Sequence, residues 1–166
     1  KSLEYYEQSL RLQHLVNDKV NEAKTLLELG AFYGVQLKHK IAFQYFDSTQ
    51  KLNDTLKNLE IQAKIFHRKA NLYTQLNNCE KSLEYHKKSL NLVLENEMSP
   101  WVIPLCQSNI ADQYTCLGEY DKALYYINES LVNGDKVGYP TFYALNLCRK
   151  GNIYRKLKRY DLASKY

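Results

Sequence analysis

The residues able to do chemistry are few and scattered. Four cysteines, Cys79, Cys106, Cys116 and Cys148, show no C-x-x-C spacing, and the four histidines, His14, His39, His67 and His86, form no H-E-x-x-H or Cys/His cluster. That pattern gives no metal site to expect. Cys116 and Cys148 have no recognisable His/Asp arrangement beside them, so they read as small hydrophobes rather than nucleophiles. There is no phosphate loop, paired-carboxylate motif or nucleophile elbow, so no enzyme activity and no cofactor are expected. A chain of 166 residues can build its own core, so the cysteines are expected as reduced thiols of a cytoplasmic protein. What remains for function is a set of Asn, Arg and Lys side chains suited to binding.

Charge narrows the partners. The net charge is +5 without a Lys/Arg block, which reads as solvated helix faces rather than a nucleic-acid footprint. Mean hydropathy is −0.54, and no apolar run approaches the roughly 20 residues of a membrane span. Hydrophobic residues at 45% are too many for disorder. With 6 Gly and 3 Pro the chain has few tight turns, which speaks for helices over many short strands.

The elements that must position those side chains are set by a repeat. There are 15 tyrosines against 5 phenylalanines. Tyr5, Tyr45, Tyr85, Tyr126 and Tyr166 recur every 40 or 41 residues, and each follows a small residue by three: Ser2, Ala42, Ser82, Ala123 and Ala163. A second series, Tyr33, Tyr73, Tyr114 and Tyr154, follows Gly30, Ala70, Ala111 and Gly151 in the same way. Both series slip by one residue in the connection Glu97 to Pro104. There Ser99-Pro100 reads as a helix start, Pro104 restarts the helix or bends its first turn, and Met98 with Trp101 reads as a staple over that start.

Between the anchors the chain reads as paired helices. Ile61, Ile65, Phe66, Ala70 and Tyr73 have the 3–4 spacing of an amphipathic helix. Polar turns Asn77-Asn78-Cys79-Glu80, Gly118-Glu119 and Lys158-Arg159 lead into second helices, whose exits are expected at Asn17-Asp18, Asn53-Asp54 and Gly134-Asp135. Small residues let two helix backbones approach closely at a crossing, and the aromatic three residues later fills the gap beside it. His86 replaces an aromatic there and reads as packing; Tyr120 and Tyr160 read as turn fillers.

These residues resemble the tetratricopeptide repeat family. Leu29-Gly30-x-x-Tyr33 followed by Ala42-x-x-x-Phe46 matches its signature, as do Ala111-x-x-Tyr114 with Leu117-Gly118-Glu119-Tyr120, and Gly151-x-x-Tyr154 with Tyr160-x-x-Ala163. The second repeat is degenerate, with Ser82 and His86 at the anchor and aromatic positions. The period exceeds the family's usual 34 residues, and HEAT or armadillo repeats lack this register. The chain is therefore similar to the long-helix branch that includes kinesin light chain and bacterial pheromone receptors. The resemblance implies an all-α, right-handed superhelical solenoid of antiparallel helix pairs: a second helix of a partial repeat over 1–17, then repeats over 18–54, 55–97, 98–135 and 136–166, the last truncated. Neither end reads as a polar capping repeat, so the chain is expected to be an excerpt of a longer array, with ends open to pairing between copies.

The resemblance also implies where binding occurs. First helices line the concave groove, which places there Lys24, Leu27, Glu28 and Ala31, then Lys64, His67, Arg68, Asn71 and Gln75, then Leu105, Ser108, Asn109 and Asp112, then Leu145, Cys148, Arg149, Asn152 and Arg155. Amide and guanidinium donors in such a groove suit peptide carbonyls and carboxylates. The expected partner is a protein or an acidic peptide, not nucleic acid and not a membrane. Chaperone-adaptor members grip a terminal carboxylate with two Lys, two Asn and one Arg. Asn71, Asn109 and Arg149 stand at three of those places, but His67 and Leu145 stand where the lysines would be. The expectation is a non-enzymatic interaction scaffold; the alternative is a sensory module that controls an attached kinase, cyclase or DNA-binding domain.

Overall fold

A computed structural model describes residues 2–98, 102–138 and 140–166; the side chain of Ser2 and the expected helix start at Ser99, Pro100 and Trp101 lie outside the described residues. Among those described the chain forms nine α-helices and no strand: α1 (Ser2–Leu15), α2 (Lys19–Val35), α3 (His39–Leu56), α4 (Leu59–Gln75), α5 (Cys79–Glu95), α6 (Val102–Cys116), α7 (Tyr120–Lys136), α8 (Pro140–Lys156) and α9 (Tyr160–Ala163). Packing divides it into two compact units, Lys1–Leu72 and Tyr73–Tyr166.

In the first unit α2 packs on α1 and α3. Ala23, Leu27, Ala42, Phe46, Ile61, Ile65 and Leu72 make the core. A Cβ on Gly30 would sit 2.6 Å from Cδ1 of Phe46, so the glycine is there to admit the ring. Phe46 is 2% exposed, and burial of such a side chain contributes about 1.5–3 kcal/mol. Asp18 caps α2 by accepting from Asn21 N at 3.1 Å.

In the second unit the core is Leu90, Cys106, Ile110, Ala111, Tyr114, Ala123, Ile127 and Ile153. Neighbours in sequence pack together, α5 on α6, α6 on α7, α7 on α8 and α8 on α9. Asn78 caps α5 by accepting from Lys81 N at 3.0 Å. His86 is 1% exposed and sits in the interior.

The two tyrosine series are partners of each other. Tyr33 stacks on Tyr45, Tyr73 on Tyr85 and Tyr114 on Tyr126 at 5.5 Å between ring centroids, and Tyr154 stacks on Tyr166 at 5.9 Å. The first three pairs join the first and second helix of one repeat, and the fourth ties α8 to the residues after α9; such pairs add about 0.5–1.5 kcal/mol beyond their area. The turns between those helices use a residue with positive φ at one repeat position: Leu37, Asn77, Gly118 and Lys158.

Three expectations need correction. Asn53-Asp54 does not end a helix. α3 runs to Leu56, and Asn53, 3% exposed, donates to Asn58 O and accepts from Asn58 N, which fixes the exit at left-handed Lys57. Gly134 lies inside α7, where a Cβ would come 3.3 Å from the Phe142 ring; the chain leaves at Gly138, φ +70°. The cysteines are not all free thiols, because the fold brings Cys79 and Cys116 to a Cα separation of 6.3 Å and they form a disulfide. Sequence spacing carries no sign of that approach.

Candidate functional site

In the first unit α2 and α4 are the first helices of successive repeats. Glu28 and Arg68 hold the same repeat position and pair directly, Arg68 Nη2 donating to Glu28 Oε1 at 3.2 Å and Oε2 at 3.4 Å. Lys64 is spent on Glu60 at 2.6 Å, which holds the Glu60 carboxyl below its usual range. Asn71 Nδ2 donates to His67 Nε2 at 3.2 Å in the tautomer protonated on Nδ1. Burial, with the Arg68 charge second, pushes His67 down to about 4, so it is neutral near pH 7. Leu27 is not on this face. It is 1% exposed and belongs to the core, because α2 buries it against α3 and α4.

In the second unit α6 and α8 are bridged in the same manner. Arg149 Nε lies 3.1 Å from Asp112 Oδ2, and its Nη1 donates to Ser108 Oγ at 2.8 Å and Asn146 Oδ1 at 3.1 Å. Burial raises Asp112 from the ordinary carboxylate range, and Arg149 opposes the rise. Ser108 is fully buried, so it serves behind Arg149 rather than at the surface. Asn109 is half-buried. Asn152 and Arg155 are exposed, and Arg155 Nη2 donates to Asn152 Oδ1 at 2.8 Å. Cys148 is an exposed free thiol and Gln75 an exposed amide.

Sequence reasoning missed Asn146 and Ser130, both fully buried. Ser108 Oγ donates to Asn146 Oδ1 at 2.7 Å, Asn146 Nδ2 donates to Ser130 Oγ at 2.8 Å, and Ser130 Oγ donates to Pro104 O at 2.6 Å. The signal was present. Thr49, Ser89 and Ser130 hold one repeat position, all buried, and the facing position carries Ile65, Cys106 and Asn146 in turn. Only the last offers an amide that accepts and donates at full strength; Cys106 gives Ser89 Oγ only a weak Sγ contact at 3.9 Å. Among the described residues no group of three or more His, Cys, Asp or Glu is placed to hold a metal.

No protein-family model matches the chain. The 43 kDa receptor-associated protein of the synapse from Tetronarce californica is 30% identical over 128 residues, covering 75% of this chain and 31% of that protein. This chain thus spans about a third of that curated relative. A STAND signal-transduction ATPase from Pyrococcus horikoshii, described as having a tetratricopeptide repeat sensor, superposes with a TM-score of 0.83 at 19% identity, over 97% of this chain and 25% of that one. The chain has the tetratricopeptide-repeat fold. Other structures with this tetratricopeptide-repeat architecture include kinesin light chain TPR-like repeats from Podosopora anserina (TM-score 0.76, 12% identity, 98% of this chain and 80% of that one). A Rap protein complexed with competence and sporulation factor is also similar (TM-score 0.82, 16% identity, 98% and 45%). His67 is neutral near pH 7, and Leu145 is an exposed apolar side chain. Neither supplies a cation near pH 7.

Proposed function

We propose that the chain is a protein-interaction module in which the exposed faces of its first helices hold a peptide segment of a partner. The observation that carries this reading is the fixed guanidinium of Arg149. Nε and Nη1 are tied to Asp112, Ser108 and Asn146, and Nη2 remains for a ligand. A donor held from behind loses little freedom on binding, which is the condition for a selective contact. Asn109 and Asn152 flank it and suit peptide main-chain groups. In the first unit Asn71 and Arg68 play the corresponding part. In this reading the chain catalyses nothing itself and works in the cytoplasm.

Lys64, Arg68 and Arg149 each face a carboxylate of this chain, so their charges are balanced within it. The test is a peptide-library pull-down read by mass spectrometry. Asn71→Ala with Asn109→Ala is expected to abolish capture while leaving the melting temperature within a few degrees. Partners that survive the double change remove the groove from consideration.

A second reading is a sensory module within a longer signalling protein. It is favoured by the similarity to the repeat sensor of the STAND ATPase, where the matched region is 25% of that chain. The full-length gene separates the two: a fused output domain supports the sensor.

A further inference from the structure

We propose that Cys79 and Cys116 form a reversible thiol–disulfide clip on the α5–α6 pair. α5 and α6 pack together as neighbours in sequence, and the connection after Glu95 joins them at one end. Cys79 is the first residue of α5 and Cys116 the last of α6, so the disulfide closes the opposite end. The chain from 79 to 116 becomes a covalent ring. The matched positions at the other repeat junctions are His39 with Gln75 and Tyr120 with Lys156, none of which can be linked in this way. The clip belongs to one junction.

Access and partner choice both favour reversal. Cys116 is exposed and Cys79 half-buried, so an attacking thiolate reaches the Cys116 sulfur from solvent, as exchange requires. Cys106 is buried and its thiol is pushed up to about 11 by desolvation, which keeps it out of exchange. The reductant is a small thiol of the glutathione class. Its thiolate attacks Cys116 Sγ, an S–S bond forms to Cys116, and Cys79 leaves as a thiolate and takes a proton. A second small thiolate then attacks the reductant sulfur of the mixed disulfide and frees Cys116. Two electrons pass to the protein, and the two small thiols leave as their own disulfide; oxidised glutathione drives the reverse. In a reducing compartment disulfides that do occur are mostly transient and redox-sensing.

The consequence falls on α6, which carries Asn109 and Asp112, the latter one turn before Cys116. That link to binding rests on the proposed groove; the clip itself does not, and its tests need no ligand. Thiols of the unfolded protein are alkylated and counted by mass, after equilibration in mixtures of reduced and oxidised glutathione. Two labels, on Cys106 and Cys148, are expected at the oxidised end and four at the reduced end, with Cys79 and Cys116 recovered as one cross-linked peptide in the former. Four labels throughout, two labels throughout, or a cross-link that involves Cys148 would each overturn the proposal. Opening a loop of this size should lower the melting temperature by roughly 10 °C. Cys116→Ser should melt like the reduced protein and ignore the glutathione ratio. A variant that still responds to it also overturns the clip.

Discussion

Asn146 on α8 donates its side-chain amide to the hydroxyl of Ser130 on α7 at 2.8 Å, with both side chains shut off from solvent. Its oxygen accepts from Ser108 and Arg149, so both ends of the amide are used. Asn146→Ile, which restores the residue type of Ile65, should cost about 2–4 kcal/mol, because Ser108 loses its acceptor and Arg149 one of its supports. Ser108→Ala added to it should recover part of that loss, since a missing pair is cheaper than a stranded partner. Urea unfolding of the two variants measures this; equal stability would mean that the network contributes little.

His67 sets a pH dependence. Its folded pKa is about 4 against an ordinary value of 6.5, so between these values the unfolded chain binds the proton and the folded chain does not. Stability is therefore highest above about pH 6.5 and declines as pH falls towards 4, by about 2 kcal/mol between pH 7 and pH 5. His67→Gln should flatten that part of the profile, as read from denaturant midpoints at the two pH values.

The turn position with positive φ gives a paired test. Leu37 has φ +60° and Gly118 φ +76°, the left-handed region that side chains with a Cβ pay to enter. Leu37 is 70% exposed, so its side chain packs little. Leu37→Gly should raise stability by about 0.5–1 kcal/mol and Gly118→Ala should lower it by a similar amount. Thermal melts of both variants decide it, and changes of the same sign would contradict the turn geometry.

Gly30 and Phe46 test the register. Gly30→Ala drives a methyl into the Phe46 ring and should cost about 1–3 kcal/mol. Phe46→Leu in the same chain should make the added methyl nearly neutral, a coupling that a double-mutant cycle reads directly.

The fold was legible because packing repeats at fixed spacing. Gly30 and Ala42 are small where helices cross, and Tyr33 and Tyr45 are large beside the crossing; such demands recur in every repeat and can be aligned by eye. The candidate site was less legible. Arg68 and Arg149 could be assigned to a helix face from spacing alone, but their partners, Glu28 and Asp112, lie on another helix. Leu27 was misassigned because α2 is covered by both α3 and α4, and its apolar arc is wider than a single seam. The Cys79–Cys116 bond depends on two helix ends meeting, which no local pattern encodes.

The bonds from Arg149 through Ser108, Asn146 and Ser130 to the Pro104 carbonyl make the last two repeats non-interchangeable with the rest. Tyrosine and small-residue spacing would permit the repeats to be shuffled into any order. A shuffled array would set Ile65 against Ser130, leaving that hydroxyl without its donor, or would set Asn146 against a hydroxyl with no Ser108 to donate to its oxygen. The last module carries, in the buried Asn146, a record of which neighbour it follows.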